Sequence, residues 1–103
     1  MNAISEKIRK RLLTYQLNEI TEHHIYLHLA KTIKYRENRE TLERIAQEEK
    51  RHYEKWREYT GEDVRPDRLK VWKYVIISRL FGFTFAAKLL EAGEQEAQDE
   101  YGE

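Results

Sequence analysis

The sequence predicts an all-α fold in a single domain, and three features support this prediction. Charged residues make up 37% of the chain and hydrophobic residues 40%, a balance typical of long helices rather than sheets. One proline and four glycines leave long stretches without a helix breaker. Apolar residues recur every three or four positions, as on one face of a helix. We expect residues 1–103 to form one helical domain, small enough to need a partner to complete its core.

A first helix is predicted from about residue 4 to residue 35, with Asn2 or Ser5 as its N-cap. It carries two apolar stripes, so we expect it to pack against neighbours on two sides. One stripe contains the acidic residues Glu19 and Glu22. Glu19 is well centred in its stripe, whereas Glu22 fits a solvated position at the edge equally well.

A second helix is predicted from about residue 38 to residue 60, with Asn38 as its N-cap. Its apolar stripe contains Glu49 and His52, three residues apart. A charge within a buried stripe must be paired, hydrogen-bonded or bound to a metal, and Glu-x-x-His spacing directs an oxygen and a nitrogen at the same ion. The alternative is that Glu49 points outward and that His52 is a hydrogen-bonded core histidine.

The short connection between these helices makes them antiparallel. At about 1.5 Å per residue from the turn, Glu19 and Glu22 lie roughly 20 to 25 Å along the first helix. Glu49 and His52 lie roughly 17 to 22 Å along the second. We therefore expect all four side chains at the same level of the hairpin.

A crossover is predicted over residues of about 61–82, followed by a last helix over about 83–101. Gly82 marks the break between them. The break lets the last helix run parallel to the second one and brings Glu94 level with Glu49, which a continuous helix would not do.

Composition and charge exclude several function classes. Nineteen basic residues balance nineteen acidic ones and are interleaved with them, so we expect no nucleic-acid partner. The absence of cysteine excludes disulfides and thiolate metal sites. The sequence opens on a charged helix rather than a leader, which favours a cytoplasmic protein. Lys73, Arg79 and Lys88 interrupt the most apolar stretch, residues 71–90, so this stretch is not expected to span a membrane. A buried helix is favoured there, a membrane-surface helix is the alternative, and no membrane partner is expected.

Three groups of residues match motifs of a known superfamily. The first helix has a Glu followed by a Tyr and an Ala at the expected spacing, namely Glu19, Tyr26 and Ala30. The second helix has an Ala-x-x-Glu-x-x-His motif and a following aromatic residue, namely Ala46, Glu49, His52 and Trp56. The third group is a Gly-Glu pair followed by a tyrosine, namely Gly93, Glu94 and Tyr101. Its tyrosine lies one residue away from the expected spacing. With these motifs the chain resembles the rubrerythrin branch of the ferritin-like superfamily over essentially its whole length.

The resemblance implies a ferritin-like antiparallel helical hairpin plus a third, Gly-broken helix. The sequence contains neither the family's second Glu-x-x-His helix nor its rubredoxin-like cysteine module, so electrons would come from an external donor. Either the chain is a fragment of a longer protein, or a second chain completes the four-helix bundle, as in encapsulated ferritins that share an iron site across a dimer interface. In both cases we expect a homodimer or a higher homo-oligomer.

The resemblance also implies a di-iron centre, with manganese or zinc as alternative metals. Glu19 and Glu94 would be terminal or bridging carboxylates, Glu49 would bridge the metals, and His52 would bind through one ring nitrogen.

Further candidates surround this ligand set. Glu22 and Glu91 are second-rank ligands or support the ligands. Tyr26 either donates a hydrogen bond to a ligating carboxylate or packs in the core. His23 and His24 are expected at the surface or at the edge of the stripe.

The reaction implied is oxidation of Fe(II) by dioxygen or hydrogen peroxide, which is ferroxidase or peroxidase activity serving iron homeostasis or peroxide protection. Three alternatives remain. The chain could be an iron-storage cargo protein, a non-catalytic helical oligomerisation module, or an amphipathic membrane-surface helix at residues 71–90.

Overall fold

The computed structural model describes residues 5–101, with the side chains of residues 5–93. All regular structure in this part of the chain is α-helical. The four helices, in chain order, are α1 (Glu6–Ala30), α2 (Arg36–Thr60), α3 (Arg68–Phe81) and α4 (Phe83–Tyr101). No helix within these residues is long and apolar enough to cross a membrane.

The start of α1 agrees with the sequence, whereas the turn that follows α1 does not. The Ser5 hydroxyl accepts a hydrogen bond from the Ile8 amide, as expected for an N-cap. The helix ends at Ala30, five residues before the predicted end, because the amides of Thr32 and Ile33 bond three residues back and tighten the chain into a turn.

The predicted N-cap of α2 is wrong. The N-cap is Tyr35, whose extended backbone begins the helix without a side-chain hydrogen bond, and Asn38 lies inside the first turn. An ion pair between Arg36 and Glu40, one turn apart, supports this uncapped end.

Two glycines end helices where the sequence places breaks. Gly61 has a φ of 70° and a ψ of 14°, the left-handed conformation that terminates α2. Gly82 has a φ of 96° and a ψ of 159°, a region that is essentially restricted to glycine, and it separates α3 from α4.

The segment between α2 and α3 is tied back to α1. Gln16 is wholly buried. It accepts a hydrogen bond from the Thr60 hydroxyl and donates one to the Glu62 carbonyl. Further along, the Asp67 amide donates to the Thr21 hydroxyl at 2.9 Å. Because later residues of α1 meet later residues of this segment, the chain returns along α1 and starts α3 beside it.

The core lies among the four helices, in the half of the α1–α2 hairpin nearest its turn. Its buried members come from all four helices and are Ile25, Tyr26, Leu29, Ala30, Leu42, Ala46, Val71, Tyr74, Val75 and Leu90. Ala46 is wholly buried, which indicates that α1 and α2 approach closely at this level. The candidate ligands lie one or two turns further from the hairpin turn, at the edge of this core.

Candidate metal centre

Three of the predicted ligands come together between α1 and α2. Glu19 reaches across from α1 to Glu49 and His52 on α2, and one ligand atom of each side chain lies within 4.8 Å of the others. The His52 Nδ1 atom lies 3.7 Å from Glu19 Oε2 and 3.5 Å from Glu49 Oε1. Both separations are long for hydrogen bonds. They match the roughly 3 to 4 Å between donor atoms that share one ion at bonds of about 2.0 to 2.2 Å.

The exposure of the three side chains differs in a way the sequence did not indicate. The side chains of Glu19 and Glu49 are 23% and 16% exposed, whereas His52 is 59% exposed. His52 is therefore not a core histidine, and Glu49 does not point into solvent, which removes the alternative raised from the sequence. The two carboxylates are partly desolvated, which favours a compensating cation, and the imidazole forms the open side of the cluster.

A group of aromatic side chains lies about one helical turn from the cluster, on the side away from the hairpin turn. The ring of Trp56, one turn after His52, lies 5.7 Å from the ring of Tyr15 and 6.4 Å from that of Tyr59. The Trp56 Nε1 atom is buried and has no hydrogen-bond partner among the described residues. A buried N–H group without a partner costs roughly 1 to 3 kcal/mol.

The expectation that His23 lies at the surface is wrong. His23 is 6% exposed, and its Nδ1–H donates a 2.7 Å hydrogen bond to the Ala46 carbonyl. The bond joins α1 to α2 one turn beyond Glu19 and close to Glu49, and so helps to hold the two helices at the separation the cluster needs. The sequence signal was present, because Glu19 and His23 are four residues apart and share a helix face.

His24 does lie at an edge, as predicted from the sequence. It is partly exposed, and its ring is 5.0 Å from that of His23. Burial, reinforced by the neighbouring His23, lowers the pKa of His24 below its ordinary value.

The remaining predicted residues do not join the cluster. Glu22 is buried, at 7% exposure, but does not share the group of ligand atoms. Tyr26 packs in the hydrophobic core. Glu91 is exposed. Glu94 belongs to α4, but its side chain is outside the described ones, so its predicted role as a ligand stays a prediction.

Comparison with known proteins gives a family for this arrangement. A family model described as Rubrerythrin matches residues 14–103, a range that contains all three clustered ligands. The chain belongs to the rubrerythrin family. Rubrerythrins typically bind iron. No curated protein and no solved structure is significantly similar to this chain.

Proposed function

We propose that this rubrerythrin-family chain binds iron through Glu19, Glu49 and His52 and oxidises Fe(II) with dioxygen or hydrogen peroxide. One observation carries the proposal. Two carboxylates and one imidazole from two helices bring one ligand atom each within 4.8 Å of the others, close enough to bind the same metal ion. Carboxylate and imidazole ligands suit Fe(II), and Glu-x-x-His pairs on bundle helices are the ligands of di-iron carboxylate proteins.

Each residue has a distinct part in this proposal. Glu49 and His52, three residues apart, present Oε1 and Nδ1 to the same point, and Glu19 supplies Oε2 from the facing helix. The two carboxylates offset the charge of a divalent cation, and their partial burial strengthens that attraction by lowering the local dielectric. Bound iron would supply the electrons that reduce the oxidant.

We further infer that the cluster is half of a site and that a second copy of the chain supplies the other half. One observation supports this inference. His52 faces outward with more than half of its side chain exposed. A second hairpin placed over this face would cover the imidazole and add a second set of carboxylates, completing a four-helix bundle.

Anaerobic titration with Fe(II), followed by iron analysis and measurement of the solution mass, tests both iron binding at the cluster and the sharing of the site between two chains. Wild-type protein should retain two irons per dimer, and Glu49→Gln should retain almost none. Glu48→Gln is the matched control, since Glu48 is exposed on the same helix turn. Equal iron content in wild type and Glu49→Gln would overturn the function. Full iron content in a monomer would overturn only the shared site.

A further inference from the structure

Helix α3 has two apolar faces, and only one of them packs on the core. Its inner face is buried and consists of Val71, Tyr74, Val75 and Ser78. A second face points outward at helical spacing, and we call it the outer stripe; its members Leu69, Trp72, Ile76 and Leu80 are 85%, 50%, 52% and 71% exposed. The sequence favoured a buried helix here, and the structure buries only one side of it.

The apolar surface continues past the break at Gly82 onto α4. Phe81, Phe85 and Leu89 follow one another at four-residue spacing and are 66%, 51% and 37% exposed. The rings of Phe81 and Phe85 lie 5.4 Å apart, so the two helices present one continuous surface. Exposed apolar surfaces of this extent are uncommon on soluble monomers and mark interaction sites.

The charges on the segment that carries the outer stripe are all positive. Residues 68–90 contain five basic residues and no acidic one, and the acidic residues Asp67 and Glu91 bound this segment. At about 100° per residue, Arg68 and Arg79 flank one side of the outer stripe, and Lys70 and Lys73 flank the other. Long basic side chains on both sides of a stripe of Leu, Ile, Trp and Phe are the composition of a helix that lies in a membrane interface.

This charge pattern distinguishes between occupants of the surface. A symmetric contact between two copies through this stripe would place the basic flanks of one chain against the basic flanks of the other, which is unfavourable. An anionic bilayer accepts the apolar side chains among its acyl chains and pairs each basic flank with phosphate groups. We propose that the outer stripe, with Phe81 and Phe85, docks this protein on anionic lipid membranes.

Docking through this surface leaves the candidate metal centre open. Thr21 and His28, which contact the start of α3, project from α1 roughly 180 to 200° away from Glu19. The membrane-facing surface and the cluster therefore lie on opposite sides of α1, so either proposal can fail without the other.

Vesicle flotation of the full chain tests the proposal, with phosphatidylcholine vesicles that contain or lack phosphatidylglycerol. The protein should float with the anionic vesicles only, and added salt should weaken binding by screening the basic flanks. Leu69→Ser combined with Leu80→Ser should abolish flotation. Both residues are largely exposed, so these changes should leave the fold intact. Ile8→Ser combined with Tyr35→Ser, exposed apolar residues on other elements, is the matched control and should float like wild type.

A second pair of variants separates docking from general charge attraction. Lys73→Glu with Arg79→Glu should weaken binding at least about twentyfold, because the loss of each of the two basic residues at an anionic surface costs about fivefold. Lys10→Glu with Arg11→Glu makes the same change in net charge on exposed positions of α1 and should have little effect. Equal weakening by both pairs, or no flotation of wild type, would overturn the proposal. A drop in solution mass on replacing Leu69 and Leu80 would instead identify the surface as a contact between chains and would equally overturn it.

Discussion

Replacing Gln16 with leucine should destabilise the fold by removing the two hydrogen bonds that join α1 to the end of α2 and the segment that follows it. Gln16 is wholly buried. It makes two hydrogen bonds, from the Thr60 hydroxyl and to the Glu62 carbonyl at 2.8 Å. Each is worth about 1 kcal/mol net, and leucine leaves the buried Thr60 hydroxyl without this partner, so we expect a loss of about 2 kcal/mol in unfolding free energy. For a domain of this size the melting temperature should fall by roughly 10 °C.

Urea denaturation followed by circular dichroism measures this loss. Gln47→Leu is the matched control, since Gln47 is exposed on α2, and it should stay within about 0.5 kcal/mol of wild type. Thr60→Val should cost less in the Gln16→Leu background than alone, because its partner is already absent. Equal stability of the Gln16→Leu and Gln47→Leu proteins, or additive effects of the two buried changes, would refute this account of how the crossover is held.

Two further predictions concern stability. Gly82→Ala should destabilise the protein by about 1 to 3 kcal/mol, because its φ of 96° and ψ of 159° are accessible essentially to glycine alone. Gly93→Ala is the comparison, because Gly93 is exposed within a helix and an added methyl group would make only an ordinary contact with Tyr74; this change should stabilise the protein slightly. Chemical denaturation measures both variants, and a similar effect of the two changes would contradict the glycine-only conformation of Gly82. Burial of the His28 imidazole lowers its pKa in the folded state below the ordinary 6.5, and the positive charge of Lys31 adds a smaller lowering. The folded state thus binds fewer protons than the unfolded one, so stability should decline as the pH falls from above 6.5 through the lowered pKa. His28→Gln should reduce that decline, and an unchanged pH profile of urea denaturation would count against it.

Local rules placed most of the helix boundaries. Ser5, Gly61 and Gly82 were identifiable because an N-cap, a left-handed terminus and a glycine-only conformation depend mainly on the residue at that position. Asn38 shows the limit of this reasoning. The turn after α1 is already tight at Thr32, so α2 begins before Asn38. No property of Asn38 itself indicates that the helix begins earlier in the chain.

The cluster was predictable in its composition but not in its exposure. Spacing and level along the hairpin brought Glu19, Glu49 and His52 together, since both depend only on helix geometry. The outward position of His52 and the burial of His23 and Gln16 depend on the rotation of α1 against α2. Periodicity alone does not determine that rotation, because both helices carry polar side chains within their apolar stripes.

A crystal structure of iron-loaded protein, with anomalous scattering recorded at the iron absorption edge, tests the central claim most directly. We predict an anomalous peak that marks an iron bonded to carboxylate oxygens of Glu19 and Glu49 and to Nδ1 of His52, the ring nitrogen that faces both carboxylates. Iron-loaded crystals with no peak between these three side chains, or with a peak only at other carboxylates, would contradict the claim.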